Sequence, residues 1–204
     1  MAFAIRVHAG IYDEFQEALN NNNAAAMQAL LLKGVDPNTP DEQGQPALLL
    51  AIRNGHFDIA ELLIKHAEMK PDVANAHDEN ALMMAGLIGN AAWVEKLLAQ
   101  GASVNKSGWT PLHYAAAGPS AETVKILLAY GARINARSSN GTTPLMMAAK
   151  YGSDAAVKLL LKEGSDIDAV NDLDLKAADF ARLGDRTDLA KWLSQLAKPI
   201  IKKN

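Results

Sequence analysis

Five histidines and no cysteines make up the residue types that most often bind metals or act as nucleophiles. The histidines are His8, His56, His66, His77 and His113. No two of them have the H-E-x-x-H spacing that places two zinc ligands on one helical face. Without cysteine there is no thiolate ligand, no cysteine nucleophile and no disulfide framework. These residue types therefore predict no catalytic site, no cofactor site and no metal site.

Two further patterns resemble ligand-binding loops but have the wrong spacing. Asp166, Asp168, Asp172 and Asp174 form an acidic cluster, but a calcium loop also needs a glycine at a fixed offset and a distal glutamate. The segment 101–107 ends in Lys-Ser as a phosphate-binding loop does, but its second required glycine is an asparagine. We interpret the aspartates as turn formers. The sequence therefore predicts that the protein is not an enzyme.

The elements that would position any functional side chain come from an internal repeat. Residues 110–116 read T-P-L-H-Y-A-A, and residues 143–149, 33 positions later, read T-P-L-M-M-A-A. The threonine suits a helix N-cap, and the proline suits the first helical position, where its missing N–H costs nothing. The leucine and the two alanines lie on one helical face. The pattern predicts a short helix that packs closely against its neighbours.

A second helix and an extended arm complete each unit. In the fifth unit, Gly152 predicts a tight turn after the first helix. Val157, Leu160 and Leu161 then predict the buried face of a second helix, which Gly164 ends as a left-handed C-cap. A turn-rich arm follows at 165–169, and the same arm pattern occurs at 34–38, 101–105 and 131–136.

Together these features resemble the ankyrin-repeat family, which has a 33-residue period and a T-P-L-H-x-A signature. The resemblance covers residues 13–195. It implies an all-α fold, an ankyrin-repeat solenoid of about six helix-turn-helix units with β-turn or hairpin arms. The units are expected at 13–45, 46–79, 80–109, 110–142, 143–175 and 176–195. The polar residues of the last unit fit a terminal cap that faces water; they are Asp185, Arg186, Asp188 and Lys191.

The two ends lie outside the repeats. Residues 1–12 are predicted to be a helical lead-in or the remnant of a signal peptide, because Val7-His8-Ala9 resembles the small-residue end of such a peptide. The chain also resembles small single-domain ankyrin proteins of bacteria, some of which are exported, and this favours the periplasm or export over the cytoplasm. Residues 196–204 form a basic tail that contains Lys198, Lys202 and Lys203. No run of about 18 apolar residues predicts a membrane span.

Charge is distributed unevenly along the chain. Residues 1–100 contain 6 Lys/Arg and 13 Asp/Glu, whereas residues 101–204 contain 14 and 10. A nucleic-acid binder is expected to show a concentrated basic stripe, which only the tail approaches. The sequence therefore favours non-catalytic binding of a protein partner by a monomer. Two alternatives stay open, a regulator that binds nucleic acid or a ligand through the basic C-terminal half, and an accessory or chaperone protein for an exported bacterial enzyme.

The resemblance also implies where the partner binds, because ankyrin proteins usually bind through the concave side, made of arm tips and first helices. The corresponding residues here are Trp109, Tyr151, Leu87, Ile88, Arg53, Asn54, His77, Ser107, Lys150 and Arg182. Trp109 stands out, because the step from Asn80 to Thr110 is 30 residues instead of 33 and because interface hot spots are enriched in tryptophan. Either Trp109 joins an apolar strip with Leu87, Ile88 and Tyr151, or the shortened arm folds it back onto the repeats.

Overall fold

The computed structural model describes residues 2–197, with side chains from Gly10 onward. The lysines of the predicted basic tail and the side chains of Val7-His8-Ala9 lie outside the described residues. Within them the chain forms twelve helices and no β-strand, which confirms the predicted all-α repeat fold. The helices are α1 (Ala2–Asn20), α2 (Ala24–Leu32), α3 (Ala47–Arg53), α4 (Phe57–Ile64), α5 (Ala81–Leu87), α6 (Ala91–Ala99), α7 (Pro111–Ala117), α8 (Ala121–Ala129), α9 (Pro144–Lys150), α10 (Asp154–Lys162), α11 (Ala177–Leu183) and α12 (Thr187–Leu196).

The helices belong to two compact units. The first extends to Met84 and also includes Ala99–Ala102. In this unit α1 packs on α2 and α3, and α4 packs on α2 and α3. The arms between helix pairs are joined to each other, since the side chain of Asn38 donates to the Glu68 carbonyl (2.9 Å) and accepts from the Lys70 N–H (2.9 Å). The largest buried side chains of this unit include Phe15, Leu19, Met27, Leu49, Ile59 and Leu63.

The second unit comprises Ala85–Leu98 and the described residues from Ser103 onward. Here α9 packs between α7 and α11, and each of these first helices contacts the second helix that follows it, α8, α10 or α12. Leu112, Val157 and Leu160 are completely buried and Leu145 is 1% exposed. Leu161, predicted to lie on the same buried face as Val157 and Leu160, is only half-buried. The apolar positions of the repeat therefore form the core between stacked helix pairs, as their spacing predicted.

Side chains fix the helix starts in this unit. Pro144 is the first residue of α9, and the Thr143 hydroxyl accepts from the Met146 N–H (3.4 Å). The Ser153 hydroxyl accepts from the Ala156 N–H (3.2 Å) at the start of α10. These bonds satisfy amides that have no helical partner in the first turn. Thr143 and Ser153 therefore fix where the two helices of this repeat begin.

Gly164 and Gly152 are required for different reasons. Gly164 has φ +97°, as expected for a left-handed C-cap. Gly152 lies in the predicted turn between α9 and α10, but its φ is not in the left-handed region. A Cβ at Gly152 would overlap the carbonyl oxygen of Ala116 and lie 2.9 Å from the Cα of Ala148. Gly152 therefore allows the close approach of α7 and α9, which periodicity in a single unit does not reveal.

Arg186 also departs from its predicted role in a cap that faces water. Asp185, Asp188 and Lys191 are exposed, but the Arg186 side chain is 21% exposed. Its Nη1 donates to the carbonyl oxygens of Ala148 (2.8 Å) and Ala149 (3.0 Å), and its Nη2 pairs with Asp154. The Ala148 carbonyl also accepts from the Gly152 N–H (3.0 Å), but a carbonyl oxygen has two lone pairs, so the guanidinium of the next repeat finds acceptors at the end of α9 and turns inward.

Candidate binding surface

An apolar groove of about 200 Å³ lies in the second unit. The first helices α5, α7 and α9 contribute to it, together with Trp109, which precedes Thr110, the N-cap residue of α7. Each lining side chain is half-buried, so the groove is accessible to solvent. The groove is lined by Leu87, Trp109, Tyr114, Ala117 and Met147. Apolar surface that stays accessible in a folded chain can be buried by a partner.

Trp109 is held at the edge of this groove by His113. The two ring centroids lie 5.3 Å apart with an interplanar angle of 72°. This edge-to-face arrangement is a favourable geometry for aromatic pairs. Trp109 therefore has one side on the repeats and another on the groove, which combines features of both predicted alternatives.

His113 is itself fixed by hydrogen bonds on both ring nitrogens. The Thr110 N–H donates to Nδ1 (3.1 Å), and Nε2 lies 2.9 Å from the Thr142 carbonyl oxygen, to which it donates. The Thr110 hydroxyl also lies 2.9 Å from Nδ1. Burial lowers the pKa of His113 to about 4, although the hydrogen bonds to the carbonyls of Thr142 and Ala136 favour the protonated form. A neutral His113 joins the start of α7 to the arm that follows α8.

The row of helix ends continues the groove into the next repeats. Leu87, Ala117, Lys150 and Leu183 are the last residues of α5, α7, α9 and α11. Because α9 packs on both α7 and α11, Lys150 occupies the position in its repeat that Ala117 has in the groove. The Lys150 Nζ lies 4.8 Å from the centroid of the Tyr151 ring, and Tyr151 is 58% exposed. The row therefore places one cation and one exposed aromatic ring beside the apolar groove.

The ten residues predicted to bind a partner are half-buried or exposed, and they belong to both units. Leu87 and Trp109 line the groove, and Lys150 and Tyr151 occupy the adjacent helix end. Ile88 and Ser107 are exposed elsewhere in the second unit. Arg182 bonds Asp179 (2.5 Å) and Ser194 (3.0 Å). The remaining three, Arg53, Asn54 and His77, are exposed in the first unit.

Three residues of the groove were missed by the sequence interpretation: Tyr114, Ala117 and Met147. Tyr114 and Met147 occupy equivalent repeat positions, and Ala117 is equivalent to Leu87 and Lys150. Aligning the units by these positions would have found them. The two adjacent methionines of α9 differ in burial: Met146 is 1% exposed, whereas Met147 is half-buried at the groove.

A larger concavity, of about 580 Å³, lies in the first unit and is polar. The Pro40 carbonyl accepts from the Tyr12 hydroxyl (3.0 Å) and from Gln16 Nε2 (3.1 Å). Desolvation, followed by the nearby carboxylates of Glu42, Asp41 and Asp13, raises the pKa of Tyr12. None of the predicted binding residues lies here. The lining residues are Tyr12, Asp13, Gln16, Glu17, Asn20, Asn21, Asp41, Glu42 and Gln43.

Within residues 2–197, no three histidine, aspartate or glutamate side chains converge as metal ligands. None of the helices described above combines the length and apolar character needed to cross a membrane.

Comparison with known proteins gives matches to repeat proteins. The family model of ankyrin repeats (three copies) matches residues 15–107 and 82–171. The chain is 31% identical over 113 residues to ankyrin repeat and SAM domain-containing protein 6 of Rattus norvegicus, covering 53% of this chain and 13% of that protein. It is 31% identical over 123 residues to putative ankyrin repeat protein FPV014 of Fowlpox virus, covering 59% and 28%. Identity to transient receptor potential cation channel subfamily A member 1 of Homo sapiens is 26% over 117 residues, covering 56% and 10%. The chain thus spans less than a third of each of these relatives.

Proposed function

Because the chain belongs to the ankyrin-repeat family, we propose that it is a non-catalytic protein-binding module whose partner docks on the apolar groove of the second unit. Ankyrin repeats are in general protein–protein interaction modules. The observation that carries the proposal is that all five groove residues are apolar or aromatic and yet remain accessible. Accessible apolar patches with polar surroundings commonly mark interaction sites.

The energetics of the groove suit such a contact. Large aromatic side chains dominate the energy of interfaces, and Trp109 and Tyr114 supply two of them here. The edge-to-face contact with His113 limits the movement of Trp109 before the partner arrives. Little side-chain entropy is then lost on binding, which favours affinity.

A capture experiment tests this function. The full-length chain and its Trp109→Ala variant are immobilised and exposed to a lysate of the native organism, and bound proteins are quantified by mass spectrometry. We expect a protein that the parent retains and that Trp109→Ala loses by about tenfold or more, since hot-spot truncations cost over about 2 kcal/mol. Its direct binding is then measured with the purified protein.

Trp192→Ala is the matched control, because Trp192 is also half-buried but lies on α12, outside the groove. Circular dichroism melts of all three proteins separate loss of binding from loss of folding. If every captured protein binds Trp109→Ala as well as it binds the parent, the groove is not the binding site. An accessory role toward an exported bacterial enzyme is a special case of the same proposal, and the identity of the captured protein tests it.

Nucleic-acid binding through the C-terminal half is the competing proposal, and the charges of the described residues do not favour it. The basic side chains that pair with carboxylates there include Lys125–Glu122, Lys176–Asp168, Arg182–Asp179, Arg186–Asp154 and Lys191–Asp188. Fluorescence anisotropy with a single-stranded oligonucleotide distinguishes the two functions. Affinity that falls steeply with salt and is insensitive to Trp109→Ala would favour nucleic acid over a protein partner.

A further inference from the structure

The electrostatic surroundings of the groove are asymmetric. Its five lining residues carry no charged side chain at neutral pH. The next first helix, α9, ends in a cation, Lys150, whereas α5 and α7 end in Leu87 and Ala117. A partner that fills the groove and extends along the row therefore meets a positive charge next.

Lys150 has no counter-ion among the described residues. No carboxylate there lies within ion-pair distance of its Nζ, and its recorded contact is with the ring of Tyr151, 4.8 Å away. Several other cations of the same unit are neutralised, for example Lys176 by Asp168 (2.8 Å). A lysine held over an aromatic ring keeps its charge and can still accept an anion on its other side.

The carboxylate of α11, the first helix of the next repeat, already has other hydrogen-bond partners. Asp179, in the first turn of α11, accepts from the Lys176 N–H (2.9 Å) through Oδ2 and bonds Arg182 (2.5 Å) through Oδ1. It therefore does not offset the charge of Lys150. The apolar groove together with the helix end at Lys150 and Tyr151 forms a surface that is hydrophobic at one side and cationic at the other.

We propose that the partner is a protein segment that inserts one large apolar side chain into the groove and places a carboxylate on Lys150. This inference rests on the proposed function and specifies the chemistry of its partner. The volume of about 200 Å³ exceeds the roughly 150 Å³ of a cavity that binds benzene, so it holds one large side chain. Charge complementarity then selects an Asp or Glu for the second contact.

The spacing between the two contacts follows from the packing of repeats. Neighbouring helices lie about 10 Å apart, and Lys150 is one repeat beyond Ala117. An extended segment covers this distance in about three residues, and a helical one in about seven. The carboxylate therefore lies at one fixed interval from the apolar anchor, and the interval reports the conformation of the segment.

A peptide selection tests this chemistry directly. A display library of random twelve-residue peptides is selected on the folded full-length chain and, in parallel, on Lys150→Glu. Peptides selected on the parent should carry one large apolar residue and an Asp or Glu at a constant interval, and Trp109→Ala should abolish their binding. Peptides selected on Lys150→Glu should have Lys or Arg at that position.

A charge exchange measures the pair. Replacing the acidic residue of a selected peptide by lysine should weaken binding to the parent about tenfold, and combining that peptide with Lys150→Glu should restore most of the loss. Lys158→Glu is the matched control, since Lys158 is exposed on the second helix of the same repeat; it should leave binding unchanged.

The outcomes separate this proposal from the one on which it rests. Peptides that need Trp109 but show no acidic preference, or bind Lys150→Glu as well as the parent, overturn the partner chemistry and leave the binding groove in place. If Lys150→Glu lowers the melting temperature without changing peptide preference, Lys150 only stabilises the C-terminus of α9, and the inference is wrong. A selection that yields no Trp109-dependent peptide contradicts both proposals.

Discussion

At the scale of single residues, His113 makes the stability of the fold depend on pH. Its pKa is lowered from 6.5 to about 4 by burial, so below pH 6.5 the unfolded chain binds a proton that the folded chain excludes. The contribution of His113 to the free energy of unfolding is therefore fully present above pH 6.5 and is lost as the pH falls toward 4. We expect His113 to reduce the free energy of unfolding by about 2 kcal/mol between pH 7 and pH 5. Urea titrations at several pH values measure this slope.

The control comes from the next repeat. Met146 occupies the position of His113, and its Sδ accepts from the Thr143 N–H (3.4 Å), so His113→Met places at this site a residue that the same motif already contains. The variant should fold and should lose the His113 part of the pH dependence. An unchanged slope between pH 7 and pH 5, or an NMR titration of the His113 ring near pH 6.5, would contradict this explanation.

The role of a residue could be predicted where its position recurs in the motif. It could not be predicted where the role depends on a contact between two repeats. The burial of Leu112 and Leu145 followed from their places in the motif. The half-burial of Trp109 did not, because it depends on the ring of His113. Lys150 was predicted to be on the binding surface, but its relation to the groove needs the packing of α9 on α7.

At the scale of elements, the approach of α7 and α9 depends on Gly152. A methyl group there would overlap the Ala116 carbonyl oxygen, so the helices would have to separate. We expect Gly152→Ala to lower the free energy of unfolding by about 2 kcal/mol, as overpacking of a well-packed contact typically does. Denaturant unfolding of the full-length chain measures this loss.

Gly10 supplies a control of opposite sign. It lies within α1, is exposed, and has open space where a Cβ would be. Gly10→Ala should therefore raise the free energy of unfolding by about 0.5–1 kcal/mol, because alanine restricts the unfolded chain and favours helix. A Gly152→Ala variant that is as stable as the parent would show that α7 and α9 can separate without cost.

The elements were largely predictable, because each one is specified by a local signal that recurs. Thr143, Pro144 and Gly164 mark a helix start and a helix end by capping and backbone conformation alone. Position 152 needs a glycine because of the carbonyl oxygen of Ala116, which lies 36 residues earlier in the neighbouring repeat. A pattern within one unit cannot contain that information.

At the scale of the whole molecule, a repeat protein is stabilised by its units and by the contacts between adjacent units. Among the described residues, the last repeat contacts the repeat before it through the packing of α11 on α9, so its stability depends on that contact. Arg186 supplies a large part of the polar contact, because it donates to Ala148 and Ala149 and pairs with Asp154. The last repeat, predicted to be a cap that faces water, therefore also binds the repeat before it through Arg186.

We expect Arg186→Met to destabilise the last repeat by about 2 kcal/mol, since hydrogen bonds from a charged group each contribute about 1.5–3 kcal/mol and the methionine retains part of the apolar stem. Arg182→Met is the matched control. Arg182 pairs with Asp179 at the surface with 54% of its side chain exposed, so its loss should cost less than about 1 kcal/mol.

Hydrogen exchange gives the decisive measurement. In Arg186→Met the amides of α11 and α12 should exchange faster while those of α7 keep their protection, because opening of a terminal repeat leaves the other interfaces intact. Uniform acceleration along the second unit would instead mean that its repeats open together and that Arg186 stabilises the unit as a whole.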